Sequence, residues 1–249
     1  MDNSYDQIIP KVGLGTYNMD SRESEFMTYE AIKYGYRHID TAAVYKNEDG
    51  VSRALERIFN ETQLKREEIF ITTKLWPGGL IKLDRVRDYK DTLKSFEKSL
   101  MRLNLEYIDL YLIHSPHGKS KRIEQWKSLM NLKESGKVKY IGVSNWGINH
   151  INELKENNLP LPDANQIEIH PWSQKPELVK YLRENDIDII AYSSLVPLSS
   201  WRHKDGENSK KTDQMYKIGE SENSPFRLLA QKYHCTEAQF LLQLSLIHI

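Results

Sequence analysis

Apolar and polar positions along the 249-residue chain follow two alternating periodicities. Short apolar runs at residues 12–16, 38–41, 69–75, 108–114, 138–144, 164–170 and 188–194 have the length and apolar content of buried strands. Between them, residues 23–34, 48–60, 86–102, 123–135, 149–157 and 176–185 place apolar side chains at i, i+3, i+4 spacing with charges between. That is the pattern of a helix with one face on a core. Gly35, Gly136 and Asn157-Asn158 stand where such helices are expected to end. Strand and helix alternate six times and a seventh strand follows, which predicts a parallel sheet with helices outside it. Even element lengths, and no linker before residue 199, favour a (β/α)8 TIM barrel over an open doubly wound sheet. The polar stretch 199–224 is expected to be mostly loop, after the seventh strand, where a barrel enzyme carries active-site loops.

The predicted strands share a second property: nearly every one ends in a polar residue of functional type. Asp40, Lys74, His114, Ser144 with Asn145, His170 and Ser193 occupy these ends. Singly, each has an ordinary explanation: a turn at Asp40-Thr41, a lysine reaching water, a structural histidine. Together in a barrel they converge on one rim, and burying Asp, Lys and His side by side is costly unless they pair or do chemistry.

Composition removes several classes of function. The 35 Lys and Arg balance 35 Asp and Glu, which argues against a nucleic-acid binder or an anionic-membrane binder. No apolar run approaches the ~18–20 residues of a membrane span. The polar, acidic start Met1–Asp6 lacks a signal-peptide apolar region. Cys235 is the one cysteine, so there is no disulfide framework and a reducing, cytoplasmic setting is expected. The eight histidines form no ligand pair, and no metal site is expected.

The motifs then become specific. Gly13-Leu14-Gly15-Thr16-Tyr17 opens the chain's first strand region. Gly35-Tyr36-Arg37-His38-Ile39-Asp40-Thr41-Ala42 follows, with Tyr45 and Asn47-Glu48 after it. Next come Lys74-Leu75-Trp76, the block Leu103 to His114, the block Gly136 to Asn145, and Asn165-Gln166-Ile167-Glu168-Ile169-His170-Pro171. These six blocks, in this order and spacing, resemble the aldo-keto reductases from about residue 8 to about residue 243. A lone glycine pair would be weak, and no third glycine and helix follow it to make a dinucleotide fingerprint.

The resemblance implies a carbonyl reductase that uses NAD(P)H, with NADPH expected rather than NADH, because no side chain can donate hydride. It implies four catalytic residues: Asp40, Tyr45, Lys74 and His114. Tyr45 is expected to protonate the carbonyl oxygen. A phenol near pKa ~10 is a poor acid at neutral pH, and a neighbouring Lys74 is expected to lower that value. Asp40 is expected to hold Lys74, and His114 to orient the carbonyl.

For the cofactor, the resemblance implies Thr16 and Tyr17 near the nicotinamide ribose, Asp40 among the cofactor contacts, and Ser144, Asn145 and Gln166 on the carboxamide. It implies Tyr192 stacked on the ring, and Ser193 and Leu195 at the pyrophosphate. Tyr17, Trp76, His114 and Ser115 are the implied substrate contacts; Ser115 stands where the family often has an aromatic, and Tyr17 where it often has Trp. Glu168 and His170 read as structural. The implied partner is a small carbonyl compound, with a monomeric protein and neither nucleic acid nor membrane.

The family continues through an eighth strand and a last helix, which carries a basic motif for the adenosine 2′-phosphate. The resemblance therefore implies a barrel over residues 1–243 that lacks these parts. Residues 244–249, Leu-Ser-Leu-Ile-His-Ile, match the translation of a sequencing adapter and are expected to be foreign to it. A catalytically silent nicotinamide-binding regulatory module is the alternative reading.

Overall fold

The computed structural model describes residues 9–81, 84–198 and 210–248. The chain divides into two compact units, one ending at Ala164 and one beginning at Asn165. In the first, strands β1 (Leu14–Gly15), β2 (His38–Asp40), β3 (Phe70–Leu75), β4 (Ile108–Ile113) and β5 (Val138–Ser144) pair in chain order, each parallel to the next. Helices α1 (Ser21–Lys33), α2 (Glu48–Glu61), α3 (Tyr89–Leu103), α4 (Arg122–Glu134) and α5 (Ile148–Glu156) separate and follow them. Then come β6 (Ala164–Glu168), α6 (Pro176–Glu184), β7 (Asp188–Tyr192), α7 (Lys210–Glu220), α8 (Pro225–Lys232) and α9 (Glu237–His248). In the second unit the ends of β6 and β7 are tied by Ile169 N–H donating to the Tyr192 carbonyl at 3.3 Å.

Burial explains this order. All six residues of β4 are buried, as expected for a parallel strand covered on both faces. Ile39, Ile71, Leu75, Leu110, Leu112 and Val143 form the sheet side of the first unit's core. Ile32, Val51, Leu55, Ile58, Phe96, Trp126, Leu129, Ile151 and Leu154 face inward from the helices. Each such side chain withdrawn from water is worth about 1.5–3 kcal/mol.

Helix ends are set by local chemistry. Asp20 accepts from Arg22 and Glu23 N–H at 2.8 and 2.9 Å while Glu23 accepts from the Asp20 N–H, a capping box that starts α1. Asp88 accepts from Asp91 N–H at 2.9 Å and so starts α3 at Tyr89, later than the periodicity at 86 suggests. Gly35 (φ 98°), Gly136 (φ 73°) and Asn158 (φ 53°) are left-handed, as helix stops of this kind require.

Residues 210–220 correct the expectation of a loop. They form α7, in which Gln214, Lys217 and Glu220 are exposed and the positions between are partly covered. With Met215, Tyr216 and Ile218 as its larger apolar residues, the helix carries too weak a stripe to read. It is held instead by close approach, Gly219 having no room for a Cβ against the Pro197 carbonyl (2.4 Å). Of the rest of that expected loop, 221–224 form a turn as expected, and 199–209 lie outside the described residues.

Gly50 shows the same device in the first unit. A Cβ there would lie 2.1 Å from the Ser21 carbonyl oxygen, so α1 and α2 approach backbone to backbone. Gly50→Ala is therefore expected to destabilise the fold by about 1–3 kcal/mol through overpacking, although alanine favours a helix by about 1 kcal/mol. Urea unfolding of the variant checks this, and a net gain in stability would contradict the packing.

Candidate active site

Parallel pairing aligns the carboxyl ends of β2 to β5. Asp40 sits opposite Thr72 and Lys74 opposite Leu112, and the ladder runs on through His114 N–H to the Leu75 carbonyl at 3.0 Å. Asp40, Lys74, His114 and Ser144 thereby reach one edge of the first unit. After β2 the chain makes a short 3₁₀ turn, Ala43–Tyr45, which ends at Lys46 in the left-handed region (φ 59°) and returns Tyr45 toward that edge.

Four sequence-expected residues meet there. Lys74 is wholly buried; its ammonium is ion-paired with the Asp40 carboxylate and donates to the Thr41 carbonyl at 2.9 Å. It also lies 5.2 Å from the centroid of the Tyr45 ring. The Tyr45 hydroxyl and His114 Nε2 are 3.4 Å apart, their rings edge to face at 5.5 Å. Tyr17, 56% exposed, tilts against Tyr45 at 5.1 Å, and Trp76 meets His114 edge-on at 5.9 Å. Trp76 is steadied by its indole N–H donating to Asp84 at 2.8 Å.

Electrostatics correct one expectation. Burial, then the Asp40 charge and Tyr17, hold the Tyr45 phenol well above its ordinary pKa rather than below it. The Lys74 ammonium is directed into Asp40 and the Thr41 carbonyl, so its attraction for a phenolate does not outweigh that burial. Burial also pulls Lys74 below the usual lysine range, opposed by Asp40 and Glu48.

His114 is pushed down to about 3 by burial and the nearby Lys74 charge, with Asp40 opposing. It is therefore neutral at physiological pH. An unfolded chain takes up a proton at this histidine near pH ~6.5 that the folded chain accepts only near pH 3. The stability it contributes is present above ~6.5 and is lost as pH falls toward 3. His114→Gln is expected to flatten the acid limb of the stability curve by up to about 1.4 kcal/mol per pH unit. Urea midpoints between pH 4 and pH 7 read this out, and an unchanged slope would refute it.

The other sequence-expected residues divide. Asn145, left-handed at φ 63°, donates its amide to the His114 carbonyl (3.2 Å) and to Ser144 Oγ (3.0 Å), so the two stand together. Ser115 is buried beside His114; its Oγ and His114 Nδ1 have no hydrogen-bond partner among the described residues. Thr16 departs from expectation. Its side chain is fully buried, with Oγ1 donating to Asn47 Oδ1 at 3.3 Å, so it presents no side chain to a ligand.

In the second unit, Gln166 is buried in β6, Tyr192 half-buried at the end of β7, Ser193 left-handed at φ 60° and Leu195 exposed. The His170 ring lies between Glu168 (3.1 Å) and the Trp172 N–H (3.2 Å). Among the described residues no group of three or more His, Cys, Asp or Glu could hold a metal ion. Nor is any helix among them long and apolar enough to cross a membrane.

Two residues matter more than their place in a motif suggests. Asn47 and Glu48 both have fully buried side chains. Glu48 accepts from Thr73 Oγ1 at 2.6 Å and from Arg102 Nε and Nη2 at 2.6 and 2.5 Å, directly behind Lys74 in the chain fold of β3. An adjacent Asn-Glu before an amphipathic run was the available signal, but it reads first as an ordinary helix start.

The donor set also suits a nicotinamide cofactor. Ser144 and Asn145 offer a hydroxyl and an amide, the complement of a carboxamide, beside an acid–base cluster that lacks a redox group of its own.

Comparison with known proteins places the chain in a family. The model of the aldo/keto reductase family matches residues 11–244. A glyoxal reductase of Bacillus subtilis is 42% identical over 189 residues, covering 76% of this chain and 64% of that protein's length. A methylglyoxal reductase of Yersinia pestis is 36% identical over 238 residues, 95% of this chain and 75% of that protein. The crystal structure of a Bombyx mori aldo-keto reductase in complex with NADP superposes with a TM-score of 0.78 at 32% identity, covering 94% of this chain and 75% of that one. By sequence and by fold, this chain belongs to the aldo/keto reductase family.

Proposed function

We propose that the protein reduces aldehyde or ketone carbonyls to alcohols at the expense of NADPH, with Tyr45 as proton donor and small 2-oxoaldehydes as its substrate class. The observation that carries this reading is the meeting of Asp40, Tyr45, Lys74 and His114 at one edge of the first unit's sheet. The names of the Bacillus and Yersinia relatives support the substrate class, and the Bombyx complex supports NADP.

In this reading the cofactor, when bound, supplies the hydride. The side chains do the rest. Neutral His114, with its proton on Nε2, donates to the carbonyl oxygen and shares that oxygen with the Tyr45 hydroxyl 3.4 Å away. As negative charge grows on the oxygen, the Tyr45 O–H bond breaks and its proton moves there. Burial keeps the phenol protonated until that charge develops. The phenolate left behind is stabilised by the Lys74 charge, which Asp40 holds in place.

Tyr17 and Trp76 flank Tyr45 and His114 and form the walls for the carbonyl's substituent. Ser115 leaves that region without a third aromatic, in keeping with small substrates. Ser144 and Asn145 are the residues of the first unit that we assign to the cofactor. Thr16 is assigned only through its backbone.

Mixing the purified protein with NADPH and a panel of aldehydes tests the reading. Oxidation of NADPH is expected with glyoxal and methylglyoxal. Tight NADPH binding without turnover on any member of the panel would overturn it in favour of a silent nicotinamide-binding module.

A further inference from the structure

We propose that Asn47 is a positioning residue for this site. Its side-chain amide ties the turn that carries Tyr17 to the strand end that carries Asp40, and so sets the wall against which the carbonyl is oriented. The inference rests on the reductase reading above.

A primary amide has two N–H donors and two acceptor positions, and at Asn47 all are used. Oδ1 accepts from Thr41 Oγ1 at 3.0 Å and from Thr16 Oγ1 at 3.3 Å. Nδ2 donates to the Thr16 carbonyl at 2.8 Å and to the Met19 carbonyl at 3.0 Å. The two carbonyls bracket Tyr17 and Asn18, the latter left-handed at φ 65°, in a turn closed by Met19 N–H to the Thr16 carbonyl at 3.2 Å. Tyr17 is held between two clamped peptide groups. Thr41 follows Asp40, and its own carbonyl accepts from Lys74. Asn47 lies two residues beyond Tyr45.

One buried side chain therefore joins the residues before Tyr17, the residue after Asp40 and the segment of Tyr45. The backbone of Asn47 is anchored separately, its carbonyl accepting from Gly50 and Val51 N–H at 3.1 and 3.3 Å in the first turn of α2. A side-chain change thus removes the tie and leaves the helix start. Neither a carboxylate nor a hydroxyl replaces it: a carboxylate would turn an acceptor oxygen on both the Thr16 and Met19 carbonyls, and a hydroxyl cannot span all four partners.

A role through Tyr17 predicts coupling that a general loss of stability does not. Four proteins are compared: wild type, Asn47→Ala, Tyr17→Ala and the double variant, each assayed for NADPH oxidation with methylglyoxal. Asn47→Ala is expected to lower kcat/KM by about tenfold or more, since small misplacements near a reacting centre can cost ~10²-fold. In the Tyr17→Ala background the same change is expected to cost less than about twofold, because its object is gone. Independent multiplication of the two losses would overturn the proposal, as would an Asn47→Ala enzyme within about twofold of wild type.

Amide exchange supplies a second readout without cofactor: the Met19 N–H is expected to exchange about tenfold faster in Asn47→Ala, and unchanged exchange would overturn the proposal. If Asn47→Ala does not fold, Thr41→Val, which removes one of the four bonds at nearly constant volume, takes its place in the same cycle. An inactive wild type in these assays refutes the reductase reading, whereas active wild type with additive variants refutes only the role of Asn47.

Discussion

Tyr45→Phe is expected to lower kcat for methylglyoxal by about 10²–10⁴, the usual contribution of a placed general acid. NADPH affinity, read from the quenching of protein fluorescence, is expected to stay within about twofold, as for an interaction made mainly in the transition state. The variant keeps the ring, and with it the contacts to Tyr17 and His114, so the loss isolates the hydroxyl. That hydroxyl lies 3.4 Å from His114 Nε2, and burial keeps its proton in place until the oxygen beside it becomes basic. A Tyr45→Phe protein retaining more than about a tenth of wild-type kcat would remove tyrosine from the acid role.

The largest effect on stability is expected from Arg102→Ala. Glu48 has no exposed side-chain surface, and Arg102, 39% exposed, supplies both nitrogens that meet its Oε2. Removing the guanidinium leaves a buried carboxylate with Thr73 as its remaining side-chain hydrogen-bond donor among the described residues. Breaking a buried pair costs about 3–5 kcal/mol. Water can replace part of a half-exposed guanidinium, so about 2–4 kcal/mol is expected here. For a chain of this size that corresponds to a fall in Tm of about 5–15 °C. Neutralising the carboxylate as well, in Glu48→Gln/Arg102→Ala, is expected to recover part of the loss. Calorimetry and urea unfolding measure both, and an Arg102→Ala protein within about 0.5 kcal/mol of wild type would show that the pair does not matter.

The elements were legible wherever a local signal was strong. β5 occupies 138–144 as its apolar run suggests, since Gly136 stops the helix before it and Ser144 begins the polar edge. α3 starts at Tyr89 because a single side-chain bond at Asp88 outweighs the apolar period that begins at 86. α7 escaped notice because its hold on the fold is a backbone contact at Gly219, and a backbone contact leaves no hydrophobic stripe.

The site divides the same way. Chemistry demanded pairing of Asp, Lys and His if they were buried side by side, and Asp40 and Lys74 are ion-paired. The direction of the Tyr45 shift was not legible, because depth of burial is a property of the assembled first unit. Neither was the fate of Thr16, whose hydroxyl is engaged by a residue 31 positions away.

The Asp40–Lys74 pair has a bearing on assembly as well as on catalysis. β2 and β3 lie with His38 beside Phe70 and Asp40 beside Thr72, and side chains alternate between the two faces of each strand. Sliding β3 by a single residue would point Lys74 to the opposite face and strand the Asp40 carboxylate against apolar neighbours. Two unmatched charges in a closing core oppose that misalignment in addition to the lost packing. The ion pair is thus an alignment key cut across two strands, and any pressure that preserves the chemistry also preserves the correct threading of the sheet.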